Sequence, residues 1–313
     1  MRLIGLSCGP ADGSSEILLK AALAAAEAEG VEVLHVRLAD LRLSTAPIVL
    51  GPGGPDDDAP WFFDQLMESD GLIIAAPVLN RTIPGALKVL LDRLLGPKAD
   101  AAFALEYRRM RDAGQAASVT FPCDERVLRP RVGGFLAVGG ALTDRWKTFA
   151  LPLMHHMTFS MQIGIADQVL FGGAGVPGAI ALDETALARA ARLGRNVAQQ
   201  AGRGFDEVEF RGDPGLCPMC HLDVITLRGS AVECATCGAA GELVVDAGRA
   251  AVRFTPEGCA KSVLSIAEKH QHFLEVQETA ARQFPRAAEI DERAAPHRAF
   301  DRLVAPGRPV AAG

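Results

Sequence analysis

The chain has 313 residues, 49% hydrophobic and 22% charged, with a formal net charge of −6. That leaves room for one large domain and one or two small ones around an ordinary globular core. The acidic balance argues against nucleic-acid binding, which needs basic patches, and no apolar run reaches the roughly 18–20 residues of a membrane span.

Residues 3–7 are a short apolar run ended by Gly9-Pro10, a first strand rather than the core of a signal peptide. An Ala/Leu-rich helix over 14–29 stops at Gly30, and the β-branched 31–36 reads as a strand. A Pro/Gly loop over 50–58 supplies aspartates that can cap a helix at 60–69. The apolar 71–76 is a strand, and 84–95 an amphipathic helix with proline in its first turn. Strand 133–138, helix 145–161, strand 167–171 and helix 183–203 complete the alternation. Strands that are apolar on both faces, each followed by a helix, imply a doubly wound α/β domain with a five-stranded parallel sheet. Its expected order is the flavodoxin-like 2-1-3-4-5.

The expected organisation is a domain over 1–212, a cysteine module over 213–258, and a C-terminal helix and tail over 259–313. The helix covers about 259–283, and the tail is expected to be mobile. An insertion over 97–132 carries six arginines (108, 109, 111, 126, 129 and 131), Tyr107 and Cys123. It is either a solvated excursion or a lid whose guanidinium groups favour an anionic substrate or cofactor phosphates.

Three loops converge at the carboxyl ends of the strands, where open α/β sheets bind ligands. The first, S-C-G-P-A-D-G-S-S (7–15), delivers the chain into a helix. Its free N–H groups and serine hydroxyls suit an anion, although a tight turn with a serine N-cap is the plainer reading. The second runs through A-A-P-V-L-N-R-T-I-P-G-A-L-K-V-L-L-D-R-L (75–94). The third, V-G-G-A-L-T-D-R-W-K (138–147), has paired glycines that let the backbone approach a flat ligand. The run Gly173-Ala-Gly175-Val-Pro-Gly178 satisfies G-x-G-x-x-G but does not open directly into a helix, so it is not read as a dinucleotide site. His155 and His156 are neighbours on a helix and point about 100° apart, which disfavours a shared metal ion.

On these residues the chain resembles the NADPH-dependent FMN reductase group of flavodoxin-like proteins, which includes multimeric quinone reductases and iron–sulfur flavoproteins. Gly13-Ser14-Ser15 matches the end of the family's first loop, with Pro10 where arginine is usual. The family's second signature matches Ala76-Pro77-Val78-Leu79, Pro84, Leu87-Lys88 and Leu91-Asp92-Arg93, with Leu79 in place of a tyrosine. The similarity spans roughly residues 1–205. It implies noncovalent FMN, with its phosphate in the loop holding Ser7, Gly13, Ser14 and Ser15. Pro77, Val78, Leu79, Asn80 and Arg81 would follow the ribityl chain and ring, and Gly139, Gly140, Ala141 and Thr143 would lie against the isoalloxazine. It further implies NAD(P)H as hydride donor, a small-molecule acceptor such as a quinone, flavin, nitro or azo compound, and a homodimer or homotetramer. No catalytic side chain is required to receive a hydride at the flavin, and none is assigned.

Cys217, Cys220, Cys234 and Cys237 form two Cys-x-x-Cys pairs 13 residues apart. Four thiolates at this spacing indicate a tetrahedral metal site, zinc or a single iron. The module 213–258 has three basic against six acidic residues and one aromatic, Phe254, so a nucleic-acid grip is disfavoured. A structural Zn2+ ribbon is the preferred reading. With Cys8, Cys123 and Cys259 scattered, the seven cysteines suit a reduced, cytoplasmic protein. The favoured function is an FMN-dependent NAD(P)H oxidoreductase. The alternatives are an electron-transfer flavoprotein with iron in the four-cysteine site, or a non-catalytic flavin-binding regulator.

Overall fold

Strands apolar along their whole length must be covered on both faces, which places them in the middle of a parallel sheet. The computed structural model describes residues 1–45, 54–94, 96–117, 120–246 and 248–300. In it β1 (Arg2–Ser7), β2 (Glu32–Arg37), β3 (Gly71–Pro77), β4 (Val132–Val138) and β5 (Gly164–Phe171) form one sheet in the order β2-β1-β3-β4-β5. Every pairing is parallel. This is the expected flavodoxin-like architecture. The expected mobile tail lies outside the described residues from 301 onward, as does part of the 50–58 loop.

The alternation of side chains along each strand sorts the core into two layers. Leu3, Ile73, Val132 and Leu136 face α1 (Ser14–Glu27) and, later in the chain, the helix Glu184–Ala198. Ile4, Leu6, Leu72, Ile74 and Phe135 face α2 (Ala59–Met67), α3 (Gly85–Leu94), α4 (Ala101–Asp112) and α5 (Ala150–His155). Helix Glu184–Ala198, α6, crosses α1 so closely that a Cβ on Gly194 would strike the carbonyl of Ala22. Asp57 does not cap α2 alone; its carboxylate also forms a buried pair with Arg93 at 2.6 Å.

The helix expected over 145–161 is much shorter. A 3-10 turn at Asp144–Trp146 precedes α5, and turns follow it. Pro152 explains the late start, because its ring clashes with the carbonyl four residues back and confines it to a first turn.

In the insertion, α4 is N-capped by Asp100, whose carboxylate accepts from the N–H of Ala102 and Phe103. Five of the six arginines are engaged within the domain. Arg109 meets Glu106, Arg111 meets Glu125, Arg126 meets Asp64 and Asp124, and Arg129 meets Asp70. Arg131 is fully buried and donates to the carbonyls of Leu66, Met67, Arg126 and Arg129. Arg126 and Arg131 clamp the insertion to α2, and none of these contacts supports a lid over the cleft.

The cysteine module is a four-stranded antiparallel sheet, β6 (Ile225–Arg228), β7 (Ala231–Cys234), β8 (Ala240–Asp246) and β9 (Arg249–Phe254). β6 and β7 form a hairpin between the two cysteine pairs, and β8 and β9 extend it. The single helix expected over 259–283 is two, α7 (Pro256–Ala260) and α8 (Ile266–Gln283), followed by α9 (Ala287–Arg298).

Candidate active site and metal centre

The first loop is shaped around an unmet need for a hydrogen bond. Cys8 N–H donates to Ala75 at 2.8 Å, and Gly13 N–H to Pro10 at 3.1 Å, with Asp12 in the left-handed region at φ 56°. The residue capping α1 is Gly13, which has no side chain to offer, so the helix begins without the serine cap. Ser14 Oγ instead accepts from the N–H of Ile180 at 3.5 Å. Ser15 is buried and its Oγ has no partner; it occupies the space that a Cβ on Gly9 would fill. Ser7 lies beneath the loop, with its hydroxyl 3.0 Å from His35 Nε2.

Glu16, also in the first turn and buried, pairs with Arg37 at 2.7 Å and Lys20 at 2.6 Å. The hydrogen bond from Arg37 holds its carboxyl down at about 2. Both cations are thereby committed to a carboxylate, and an anion at this helix end would rest on N–H groups and hydroxyls.

The second loop leaves β3 at Pro77. Val78 N–H donates to Val138 at 2.8 Å, and Leu79 and Thr82 exchange both backbone hydrogen bonds across a two-residue turn. The turn residues Asn80 and Arg81 sit at φ 48° and 72°, the geometry of a type I′ turn without glycine. Such strain is held by surrounding structure. Arg81 Nε donates to the carbonyl of Arg145 at 2.9 Å, and its guanidinium lies 4.9 Å from the Phe149 ring centroid. Thr82 Oγ1 is buried without a partner. Leu79 is exposed.

The third loop runs beside the second. Gly139 N–H donates to Phe171 at 3.1 Å, and Gly173 and Ala174 N–H donate back to Ala141 and Gly139. The G-x-G-x-x-G run thus braces this loop. Thr143 is exposed and precedes the 3-10 turn. Between the loops lies a cleft of about 210 Å³ lined by Val78, Asn80, Arg81, Gly139, Gly140, Ala141, Trp146 and Lys147. The first six were expected from the sequence. Trp146 and Lys147 were not, although they stand as an aromatic and a basic residue shortly after the paired glycines of 138–147.

Two of the buried hydroxyls that lack partners, Ser15 Oγ and Thr82 Oγ1, belong to loops assigned to the flavin. A buried donor without a partner is costly, and a phosphate and a polyol chain would satisfy both. The residues present therefore fit FMN.

The sulfurs of Cys217, Cys220, Cys234 and Cys237 lie within 4.8 Å of one another, and all four residues are buried. Tetrahedral zinc with Zn–S bonds of about 2.3 Å would hold sulfurs about 3.8 Å apart. Each pair ends in a knuckle whose next residue is left-handed, His221 at φ 57° and Gly238 at φ 73°. His221 N–H donates to Cys217 O at 2.9 Å, and Gly238 N–H to Cys234 O at 2.8 Å. His221 compensates by stacking on Phe210, ring centroids 3.8 Å apart.

Gln168 of β5 joins this centre to the main sheet. Its Nε2 donates to the carbonyls of Cys220 at 2.8 Å and His221 at 3.2 Å. Its Oε1 therefore faces His155 Nε2 at 2.8 Å, which makes that nitrogen the protonated one. Burial lowers the His155 pKa to about 4, so the ring is neutral. His156 is half-buried on another side, and the two histidines share no metal site among the described residues.

The sequence pattern of the NADPH-dependent FMN reductases matches residues 1–151. A flavone synthase of Aspergillus candidus is 39% identical over 294 residues, 88% of this chain and 89% of that protein. An iron–sulfur flavoprotein of Methanocaldococcus jannaschii is 27% identical over 218 residues, 64% of this chain and 96% of that one. The solved structure of a flavone reductase superposes with a TM-score of 0.82 at 24% identity. It covers 98% of this chain and 100% of its own, so the fold is shared through the cysteine module and C-terminal helices. No described helix is long and apolar enough to cross a membrane. By this family match and the 39% identity over most of its length, the chain belongs to the NADPH-dependent FMN reductase family and is an FMN-dependent oxidoreductase.

Proposed function

We propose that this flavoenzyme exchanges two electrons and a proton between NAD(P)H and a flat conjugated ketone of the flavone type. The observation that carries the reading is the 39% identity to a flavone synthase across 88% of the chain. A synthase and a reductase are named for opposite directions of chemistry on one scaffold class, and both suit a bound flavin that can accept or return a hydride. Ser14, Ser15 and the N–H groups of the first loop would hold the FMN phosphate. Residues 77–82 would follow the ribityl chain, and 139–143 would flank the ring.

The chain's own part is binding and orientation. Trp146, 60% exposed at the cleft, offers a flat face on which an aromatic acceptor can stack. Arg81 adds positive charge at the same mouth, which favours a carbonyl or phenolate oxygen. The cleft is smaller than the roughly 300–1,000 Å³ usual for a ligand site. Leu79, Leu142, Phe149 and Val176, all exposed, belong to the loops around it. A second copy of the chain seated there would enlarge the wall, in keeping with a homodimer or homotetramer.

The four-cysteine cluster is proposed to hold one structural Zn2+, since all four ligands are buried and the site is closed. Iron in its place would favour the electron-relay alternative.

The test is a titration of purified protein with FMN, followed by anaerobic turnover. A flavone, a quinone and a nitroaromatic compound are compared as acceptors, with NADH and NADPH as donors. FMN uptake and flavone loss faster than quinone reduction are expected. Protein that takes up no FMN would refute the reading, and quinone as the far better acceptor would replace the substrate class.

A further inference from the structure

Lys147 is the one lysine of the cleft wall, and its side chain is only 4% exposed. Long charged side chains at a surface normally leave their ends in water. This one runs inward. Its stem lies under Gly139, where a Cβ would sit 3.2 Å from Cγ and 3.3 Å from Cδ. Its Nζ lies against Gly172, where any Cβ would strike the ammonium and also come within 2.7 Å of the Ala141 carbonyl. The notch therefore needs glycine on two strands' exits, β4 and β5, to admit one cation.

The charge is poorly compensated. The Lys147 ammonium faces Asp144 at 3.2 Å, but that carboxylate is 90% exposed and water screens it. Arg81, the other cation of the cleft, is tied to the Arg145 carbonyl and lies over Phe149. A buried, weakly paired ammonium acts on a neighbouring ring far more strongly than a solvated one.

We propose that Lys147 is the cationic partner of the reduced flavin ring, the group that raises the electron affinity of FMN in this protein. The inference rests on the reading that residues 139–143 flank the isoalloxazine. A two-electron reduced flavin carries negative charge on its pyrimidine side, and a fixed cation in the same cleft stabilises that charge and leaves the neutral oxidised ring nearly unaffected. Gly139 and Gly172 then serve the flavin at one remove, as the opening through which the lysine reaches it.

The test uses the FMN-loaded full chain, its K147M, K147Q and K147R variants, and two readouts that are not turnover. One is the affinity for sulfite, which adds through sulfur to flavin N5. The electron pair of the N5=C4a bond passes into the pyrimidine ring, so the adduct is anionic like reduced flavin. The other is the midpoint potential, from reductive titration against a reference dye. K147M and K147Q should bind oxidised FMN within about threefold of wild type. They should bind sulfite at least about tenfold more weakly and have a lower potential, and K147R should recover most of both. K147M keeps the stem packed under Gly139 and removes only the charge.

Unchanged potential and sulfite affinity in folded, FMN-loaded K147M and K147Q would overturn the proposal. Equal loss of oxidised-FMN binding would also overturn it, by making the lysine a simple support. If neither uncharged variant folds, a K147R potential below wild type by as much as a lost charge would overturn it, and a preserved potential would uphold it. Wild-type protein that binds no FMN refutes the flavoprotein reading itself, a result distinct from any of these. If wild type binds FMN but not sulfite, the potential alone decides.

Discussion

The hydroxyl of Ser15 is buried under Gly9 with no partner, at a helix start that carries no side-chain cap. An unpaired buried hydroxyl costs about 1–3 kcal/mol, whereas one donating to a charged oxygen contributes about 1.5 kcal/mol or more. The two states of the site should therefore answer a mutation in opposite directions. Ser15→Ala is expected to leave the apoprotein as stable as wild type or slightly more so in urea unfolding. The same change should weaken FMN binding roughly tenfold, measured by fluorescence titration. A serine that merely tightened the turn would lower apoprotein stability and leave FMN affinity alone. The loop was legible from its glycines and serines. Its detail was not, because Ser14 is engaged by Ile180 from a segment some 166 positions away. Lys147 was hidden for the same reason: its burial depends on Gly172, a contact that local sequence does not encode.

Between elements, the tightest contact is α1 against α6 on one face of the sheet. Gly194 lets the two backbones meet, and a Cβ there would collide with backbone atoms of Ala22, not with a side chain that could turn aside. Overpacking of this kind costs about 1–3 kcal/mol. Gly194→Ala should lower the urea midpoint accordingly, despite alanine's better helix propensity; an unchanged or raised midpoint would mean the crossing yields easily. The five strands were readable to within three residues: the central β1, β3 and β4 are near-continuous apolar runs, as buried parallel strands are, and the edge strands β2 and β5 show through shorter apolar stretches. The elements that escaped are those whose pattern is weak or interrupted. Helix α5 is cut short by Pro152, the apolar run of β8 is only three residues long, and β9 mixes small and charged residues.

At the scale of the whole molecule, the cysteine module has almost no core of its own. Its buried cluster is the four cysteines with Ala239 and Leu264, and it leans on Phe159 and Phe205 of the main domain. The C-terminal helix α8 follows after α7 and is fixed by several anchors. Lys269 reaches the carbonyl of Phe159 and the side chain of Gln162, and Gln162 Nε2 donates to Leu264 O at 3.0 Å. Phe273 packs edge-on against Phe103 and Tyr107 of the insertion, and His270 meets Glu106 at 2.9 Å. The insertion is thus a landing surface for α8. A metal in the cluster would supply the folding energy that so small a core lacks. Stripping it with a strong chelator, or changing Cys220→Ser, should remove hydrogen-exchange protection from residues 213–260 while β1, β3 and β4 stay protected. Protection in α8 should fall only partly, because its aromatic and Lys269 contacts are made with the main domain. FMN affinity should stay within about twofold, since the cleft is built from loops of β3 and β4 and none of the four cysteines lines it. Protein that loses flavin together with its metal would instead tie the cluster to the active site through Gln168 and β5.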